Sequence, residues 1–382
     1  MKKDLRLLVL GMMPWNYSEL SDTIRSTILA SDFSNIVYIN PQAEKRSLAM
    51  NWSARQDGEV SIWNPPYSLI PTRHGLHRLR EKLSASTLES FVSKRLGAGW
   101  REDTIMYVTP TTLEQSYEYV MALKPKHLVF DILDDNLSFP SIQPEKRKKL
   151  QEMYREIGKR ATVITAVSQH LVNMAQELLG KEAAYLPNAV DIERFSKNSG
   201  HAPVDLDKIV HPRITFVGAL TSWIDFPLLS SAARELKDMQ FVMIGPIDYQ
   251  AIDNRQLEVL QSLENVHFLG AKPYGEVPAY LHASDVLLLP RTTDPHSLAC
   301  DPLKVYEYLA TGKPVVSTNH PSIERFSSFV KSGATAEEFT DGIRAALDRS
   351  KEEEARQQAA IAGLSWEARA RRLGELIGEK LN

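Results

Sequence analysis

The segment from Ala283 to Thr318 reads ASDVLLLPRTTDPHSLACDPLKVYEYLATGKPVVST, and it decides the fold. It opens with the apolar run Val286–Leu289, which is typical of a strand buried on both faces. After a polar loop, Pro302 is expected at the first position of a helix over Leu303–Ala310 that ends at a glycine. A second apolar strand follows at Pro314–Ser317. Strand, loop, helix and strand in this order predict a crossover in a parallel sheet.

Two charged residues of this helix, Lys304 and Glu307, stand three positions apart and therefore share one face. Lys304 falls in the first turn, where free backbone N–H groups and the helix dipole already favour an anion, so it predicts a phosphate site. Glu307 lies one turn deeper on a largely apolar helix, where a carboxylate needs a partner. Paired hydroxyls such as a ribose diol would suit it. The alternative is an ordinary ion pair on a solvated helix face.

Residues 302–318, PLKVYEYLATGKPVVST, resemble the donor-binding segment of GT-B glycosyltransferases, especially the retaining enzymes of family 4. The similarity is greatest to the branch that includes teichuronic acid and related polysaccharide glycosyltransferases. It implies an α/β protein with two Rossmann-like domains that face each other across a cleft. It also implies that Glu307 holds the nucleotide ribose and that Pro302, Leu303 and Lys304 at the helix start take the diphosphate.

The strand and helix pattern of the whole chain agrees with two such halves. We expect an acceptor domain over residues 1–195, a linker over 196–211 and a nucleotide-sugar donor domain over 212–364. The resemblance further implies that a terminal helix, residues 365–382, crosses back onto the first domain. Residues 185–195, YLPNAVDIERF, resemble the segment that joins the two GT-B domains, with alanine in place of its usual glycine.

In the first half, strands are predicted at Leu5–Gly11, Ile36–Ile39, Thr104–Val108, His127–Ile132 and within residues 159–171. Residues 41–71 contain several prolines and are expected to be irregular. A helix is predicted over Thr72–Leu96, with an apolar stripe of Leu76, Leu79, Leu83, Phe91 and Val92 and a cluster of basic residues at its start. This helix either packs on its domain or lies on a membrane surface.

Candidate acceptor residues follow two strands of the first half. The loop after strand one contains Gly11, Pro14 and Trp15, and the resemblance places it in the cleft beside the transferred sugar. Three carboxylates, Asp131, Asp134 and Asp135, stand at a strand's carboxyl end, where open α/β sheets bind ligands. They suit a metal, sugar hydroxyls or a capped loop. The resemblance favours Asp134 or Asp135 near the acceptor, and these two join Lys304 and Glu307 as candidate catalytic residues.

Glycines follow three predicted strands of the second half, which cover Ile214–Val217, Phe241–Ile244 and Val266–Leu269. Repeated glycines at one sheet edge indicate close backbone approaches, although each glycine could also be a turn residue. By resemblance, Gly218 admits the diphosphate, and Gly245 is a further candidate donor-binding residue. The resemblance also places Lys272 and Pro273, in the turn after Gly270, near the nucleotide base.

The sequence departs from the family pattern at two places. Many family 4 enzymes have a second glutamate eight residues before Glu307, where this chain has Ala299. Many also have an arginine and a lysine after the first strand of the donor domain, whereas residues 218–225 contain no cation. Diphosphate charge therefore falls to Lys304, the helix start and Arg291. A non-catalytic nucleotide-binding scaffold and a nucleotide-sugar epimerase remain alternatives to a glycosyltransferase.

Composition favours a soluble globular protein of two domains. The chain has 382 residues, 43% of them hydrophobic, with a net charge of -3, and this balance does not indicate nucleic-acid binding. The single cysteine, Cys300, excludes an internal disulfide and fits a reducing compartment. We expect a cytoplasmic protein with peripheral contact to the inner face of a membrane. Its predicted partners are a nucleotide-sugar donor, most simply UDP-linked, and a saccharide or lipid-linked acceptor, with no metal or other cofactor.

Overall fold

The computed structural model describes residues 5–16, 23–33, 35–41, 51–66, 77–139, 142–198 and 200–381, with residues 77–80 described by their backbone alone. Within these ranges the chain forms two sheets with helices packed on them. The first sheet contains β1 (Arg6–Leu10), β2 (Asn35–Ile39), β3 (Ser53–Asp57), β4 (Val60–Asn64), β5 (Thr104–Val108), β6 (His127–Ile132), β7 (Val163–Ala166) and β8 (Ala184–Tyr185). The second sheet contains β9 (Arg213–Val217), β10 (Gln240–Ile244), β11 (Val266–Gly270), β12 (Val286–Leu289), β13 (Val315–Thr318) and β14 (Val330–Gly333).

The helices are α1 (Thr23–Leu29), α2 (His77–Leu96), α3 (Leu113–Leu123), α4 (Pro144–Arg160), α5 (Gln169–Leu179), α6 (Ile192–Ser196), α7 (Val204–Asp207), α8 (Phe226–Glu235), α9 (Asn254–Gln261), α10 (Val277–His282), α11 (Pro295–Ala299), α12 (Leu303–Ala310), α13 (Ala336–Leu347), α14 (Lys351–Ile361) and α15 (Trp366–Leu381). Strand order in the first sheet is β3-β4-β2-β1-β5-β6-β7-β8, and in the second it is β11-β10-β9-β12-β13-β14. All neighbouring strands are parallel except the β3–β4 hairpin. We call the two sheets with their packed helices the first half and the second half.

Alternation along the strands fills a core on each face of each sheet. In β1, Leu8 and Leu10 join a cluster with residues of α2 to α5, whereas Leu7 and Val9 point to the opposite face. That opposite face is covered by α1 and by α15, whose Leu373 and Ile377 are buried against it. The terminal helix therefore crosses back onto the first half, as the resemblance implied.

The secondary structure that positions the site follows the sequence prediction closely. Helix α12 covers the predicted residues, and the strands at β1, β2, β5 to β7 and β9 to β13 lie where they were expected within a residue or two. Pro302, however, is the residue before the helix rather than its first helical position. The loop ahead of it also contains a short helix, α11, whose start is capped by the carboxylate of Asp294, which accepts a hydrogen bond from Ser297 N.

Two predictions for the first half were wrong. Residues 41–71 are not irregular throughout, because they include the β3–β4 hairpin, whose turn contains Gly58 with a φ of +56°. Strand β3 is an exposed, polar edge strand, SARQD, and therefore shows no apolar run. In α2, the predicted stripe is correct at Phe91 and Val92, which pack in the core, but Leu83 is 52% exposed, and at that level the helix buries the small residues Ser84 and Ala85. Residues 72–76, the predicted start of this helix, lie outside the described residues.

The segment expected as a linker, residues 196–211, contains helix α7. Leu206 and Ile209 of this segment are buried in the core of the second half beside Tyr280. This segment is therefore packed on the second half along part of its length.

Candidate active site

Helix α12 begins at the carboxyl edge of the second sheet, after β12, and its position is fixed by a tyrosine. The hydroxyl of Tyr308 accepts a hydrogen bond from Val217 N at 2.8 Å and lies 3.1 Å from Val217 O, to which it donates. Val217 is the last residue of β9, so the contact fastens the helix to the middle of the sheet. Val305 and Leu309 pack in the core of the second half, and Lys304 and Glu307 lie together on another face of the helix.

Glu307 and Lys304 form an ion pair in a largely buried setting. Lys304 Nζ donates to Glu307 Oε2 at 2.8 Å, and the two side chains are 25% and 3% exposed, respectively. The hydroxyl of Tyr274 donates to the other oxygen, Glu307 Oε1, also at 2.8 Å. Both carboxylate oxygens are thus engaged. The predicted shared face is correct, and the burial of Glu307 disagrees with the alternative of a solvated pair.

Tyr274 was not predicted from the sequence. It lies in the turn after β11, and its ring is near two residues of α6: the Phe195 ring centroid is 5.9 Å away and the Arg194 guanidinium carbon 5.4 Å away. Lys304 Nζ lies 6.0 Å from the same ring. The available signal was its place directly after the Lys272-Pro273 turn, because that turn was expected in the donor site.

Lys272 itself pairs elsewhere. Its Nζ donates to Asp205 Oδ2 at 2.6 Å, and this hydrogen bond raises the pKa of Lys272. Tyr280 donates to the other oxygen of the same carboxylate at 2.8 Å. Among the described residues, Lys272 therefore tethers α7 to the second half rather than joining Lys304 and Glu307, while Pro273 is exposed beside it.

Gly218 and Gly245 lie where backbone segments of the second sheet approach each other closely. Gly218 N donates to Ile244 O, and Gly245 N donates to Gly270 O. Gly245 has a φ of +147°, and a Cβ placed there would lie 1.9 Å from Gly218 O. At Gly218, a Cβ would lie 2.9 Å from the Phe216 ring. These contacts account for both glycines within the fold, and a role beside a diphosphate stays a prediction.

Asp134 faces the second half in a cluster of polar side chains. Its Oδ1 accepts from Asp135 N at 2.8 Å and from the Cys300 thiol at 3.5 Å. Potential ligand atoms of Asp134, His296 and Cys300 all lie within 4.8 Å of one another. Burial raises the pKa of the Asp134 carboxyl, and burial together with Asp134 raises the pKa of the Cys300 thiol to about 12.

Carboxylate, imidazole and thiol are ligands that zinc accepts, so this cluster is the place where a metal would fit. The cluster already contains a cation, however. Arg291, whose Nε donates to Ser297 Oγ at 3.2 Å, interacts with both Cys300 and Asp134, and burial lowers its pKa. Arg291 therefore compensates the Asp134 charge, and the expectation of no metal stays a prediction.

Asp135 and Asp131 have structural partners. Asp135 Oδ1 accepts from Leu137 N and Ser138 N, which is the capped turn that the sequence left open as an alternative. Asp131 is fully buried and accepts from Arg369 of α15 at 2.8 Å. Of the three carboxylates, Asp134 is the one whose side chain contacts a side chain of the second half by hydrogen bond, through Cys300.

The predicted cleft loop after β1 is anchored in the first half. Gly11 is required by packing, since a Cβ there would lie 2.2 Å from the Tyr38 ring. Trp15 is 9% exposed, its ring centroid lies 5.0 Å from that of Tyr38, and its indole Nε1 donates to Asp57 Oδ2 at 2.9 Å. Pro14 is exposed. These contacts belong to the first half, so an acceptor role for the loop stays a prediction.

The segment just before α12 fastens the halves together. Ser168 Oγ donates to Ala299 O at 2.6 Å, so the residue that replaces the family's first glutamate contacts the first half through its backbone. Two residues on, Asp301 accepts from Asn188 N at 2.8 Å and from Arg325 at 2.9 Å. Burial raises the pKa of Asp301 to about 6, although Arg325 opposes this. Apart from the resemblance around Asn188, no pattern in the sequence predicted these contacts.

The fold is that of the GT-B glycosyltransferases. Sucrose-phosphate synthase from Thermosynechococcus elongatus matches 98% of this chain and 99% of its own with a TM-score of 0.70 at 14% identity. HepE from Anabaena, solved with UDP and glucose, matches 98% of this chain and 99% of its own with a TM-score of 0.67, also at 14% identity. The predicted fold class is confirmed.

Residues 211–349, which contain most of the second sheet and α12, match the family described as glycosyl transferases group 1. Among curated proteins, TuaH of Bacillus subtilis, named for teichuronic acid biosynthesis, is 34% identical over 188 residues, which is 47% of this chain and 46% of TuaH. WcaL of Escherichia coli, named for colanic acid biosynthesis, is 29% identical over 192 residues, 47% of this chain and 45% of WcaL. The chain thus spans about half the length of these relatives, and the resemblance found in the sequence is confirmed.

Proposed function

We propose that this chain is a glycosyltransferase that moves a sugar from a UDP-linked donor to a saccharide or lipid-linked acceptor during the synthesis of a surface polysaccharide. The observation that carries the proposal is the buried Lys304–Glu307 pair at the start of α12, on the sheet edge next to the first half. The relatives named for teichuronic and colanic acid biosynthesis support the polysaccharide, and the HepE complex with UDP and glucose supports the donor.

The reaction breaks the bond between the sugar C1 and the diphosphate oxygen and forms a bond from C1 to an acceptor oxygen. The acceptor hydroxyl loses its proton to the leaving phosphate oxygen, so the charge balances without a protein nucleophile. Lys304 and the free N–H groups at the start of α12 stabilise the negative charge that grows on the diphosphate. Glu307 binds the ribose hydroxyls. The resemblance to family 4 supports retention of configuration at C1.

Asp134 is the proposed acceptor contact in the first half. Its carboxyl lies beside Cys300, and Cys300 belongs to the segment that leads directly into α12. An acceptor hydroxyl bound to Asp134 would therefore stand between the two halves. Arg291 lies in the same cluster and adds a second cation for the diphosphate. No metal is required by this chemistry, because protein cations take its electrostatic role.

Calorimetry with UDP, GDP, ADP and CDP tests the site first, and mass spectrometry of a UDP-sugar panel with added saccharide acceptors tests the reaction. We expect UDP to bind and its sugar to appear on an acceptor. Binding of UDP with no turnover would favour the non-catalytic scaffold, for which Ala299 is the best argument. A rearranged donor formed without acceptor would favour the epimerase. If none of the four diphosphates binds, the proposed donor site is wrong.

We further propose that the protein works on the cytoplasmic side of a membrane and contacts it at the periphery. Across the described ranges, none of the helices is both long and apolar enough to cross a bilayer. The proposed contact is the basic start of α2, of which Lys82 and Leu83 are described and exposed. Sedimentation with liposomes tests it, since each basic residue near an anionic surface contributes about 1 kcal/mol. Equal binding to anionic and neutral liposomes, or to neither, would contradict the contact.

A further inference from the structure

The two partners of Glu307 differ in how firmly they are held. Lys304 is 25% exposed at its side chain and reaches Oε2 with a flexible four-carbon stem. Tyr274 reaches Oε1 from a ring that packs against Phe195 and Arg194 of α6. Since a tyrosine has two side-chain torsions and this ring has neighbours on α6, its hydroxyl is the more fixed of the two donors.

A ligand with a diphosphate would compete with Glu307 for Lys304. The ammonium group is within reach of the first turn of α12, where an anion is also favoured by the free N–H groups. Movement of Lys304 to the phosphate would leave Oε2 without its ion-pair partner. That oxygen would then be free to accept hydrogen bonds from a ribose diol, provided that the carboxylate keeps its orientation.

We propose that Tyr274 is a positioning residue of the donor site: its hydroxyl holds Oε1 of Glu307 so that Oε2 passes from Lys304 to the ribose hydroxyls when a nucleoside diphosphate binds. The inference rests on the proposed function. It adds a residue that acts on ribose recognition through Glu307, and an exchange of partners in which Lys304 leaves the carboxylate while Tyr274 stays.

The test is the preference of the protein for UDP over 2′-deoxy-UDP, measured by calorimetry. The parent should prefer UDP, because the deoxy analogue leaves the buried carboxylate without one of its hydrogen bonds. Tyr274→Phe removes only the hydroxyl. We expect it to reduce the preference by about tenfold, the size of one hydrogen bond to a charged group, while affinity for 2′-deoxy-UDP changes little.

The matched control is Tyr280→Phe. Tyr280 is 3% exposed, whereas Tyr274 is half-buried, and the Tyr280 hydroxyl likewise donates to a carboxylate at 2.8 Å, that of Asp205, whose partners do not include Glu307. This variant should keep the parental preference. A complementary variant, Lys304→Ala, should lose affinity for UDP relative to uridine and yet keep its preference for ribose over deoxyribose, since Tyr274 still holds Oε1.

The outcomes separate the inference from the function on which it rests. If the parent binds no nucleoside diphosphate, the proposed function fails. If the parent prefers UDP and Tyr274→Phe keeps that preference, the positioning role is overturned. Equal losses for UDP and 2′-deoxy-UDP in Tyr274→Phe would show a merely structural tyrosine and overturn it as well. Loss of the ribose preference in Lys304→Ala would assign the positioning to Lys304 and also overturn it.

Discussion

Two buried carboxylates, one in each half, have the same kinds of partner and differ in how closed their surroundings are. Asp131 in β6 is bound by the guanidinium of Arg369 and the hydroxyl of Tyr107, as Glu307 is bound by the ammonium of Lys304 and the hydroxyl of Tyr274. Asp131 and Arg369 are 0% and 2% exposed, however, whereas Lys304 is 25% exposed.

Asp131 cannot exchange its partners for a ligand, because they are buried and are themselves held by other contacts. Thr165 donates to its Oδ1 at 2.6 Å, and Arg369 also donates to Thr27 and to the backbone oxygen of Pro187. Although burial opposes it, Asp131 raises the pKa of Arg369, so the guanidinium stays charged. A carboxylate whose partners are all buried stabilises the fold and is not available to a ligand. One with a partly exposed, flexible lysine can release that partner to a ligand.

The largest effect that tests the contrast between Asp131 and Glu307 is expected from Arg369→Met. It leaves Asp131 buried and without its cation, so we expect the free energy of unfolding to fall by about 3–5 kcal/mol. Urea denaturation of the full chain, monitored by tryptophan fluorescence and circular dichroism, measures the loss. The control is Arg369→Met with Asp131→Asn, in which no lone charge is buried. Of the hydroxyls of Tyr107 and Thr165, which donate to different oxygens of Asp131, one can donate to the amide oxygen and the other can accept from the amide nitrogen. If the double variant is no more stable than the single one, the charge is not what matters at this site.

Asp301 offers an intermediate case, because it is 0% exposed at its side chain and its cation, Arg325, is 25% exposed. Burial raises its folded pKa from 3.8 to about 6. Between these values the folded chain holds a proton that the unfolded chain has released, so the group's contribution to stability falls as pH rises through this window and is constant above it. The stability of the parent relative to Asp301→Asn should therefore fall by up to about 3 kcal/mol between pH 4 and pH 7.

Urea titrations of parent and Asp301→Asn at four pH values within that range measure the difference, in which the titration of all other groups cancels. A difference that does not change with pH, or that grows as pH rises, would mean that Arg325 outweighs burial and that the pKa of Asp301 is not raised.

Substitutions of Lys304 and Glu307 should change UDP affinity and catalysis more than they change the stability of the fold. In the proposed site, Lys304→Ala removes a charge that faces the diphosphate, whose own charge grows as the bond breaks, so it should lower both UDP affinity and kcat. Glu307→Gln keeps the shape and weakens hydrogen bonds that exist equally before and during the reaction. It should raise donor KM by more than it lowers kcat, at a cost of roughly 1.5–3 kcal/mol.

Calorimetry with UDP is the first measurement on these two variants and steady-state kinetics the second. Arg344→Ala is a control on the same half, since its partners Glu235 and Asp341 are exposed surface residues and its loss should leave UDP affinity unchanged. Folded variants of Lys304 and Glu307 that bind UDP like the parent would place the donor elsewhere.

The sequence predicted the donor helix well because its limits are local. Pro302, the apolar pattern and the terminal glycine act within a few residues, and α12 follows them. Strand β3 was not predicted, because its own residues are polar and its place in the sheet depends on antiparallel pairing with β4. The contact of Tyr274 with Glu307 spans 33 positions and that of Arg369 with Asp131 spans 238, so no local pattern reveals either one. Residue types and resemblance therefore supply the candidate residues, and tertiary contacts decide which of their charges are available.

The return of α15 to the first half also orders events during synthesis of the chain. The last strand of the first sheet ends at Tyr185, but the cation that neutralises Asp131 is Arg369, which emerges from the ribosome only after the whole second sheet. At ordinary rates of translation this interval is on the order of ten seconds or more. Until then Asp131 has the hydroxyls of Tyr107 and Thr165 as partners and lacks its cation. The first half, although synthesised first, should therefore reach its final packing last.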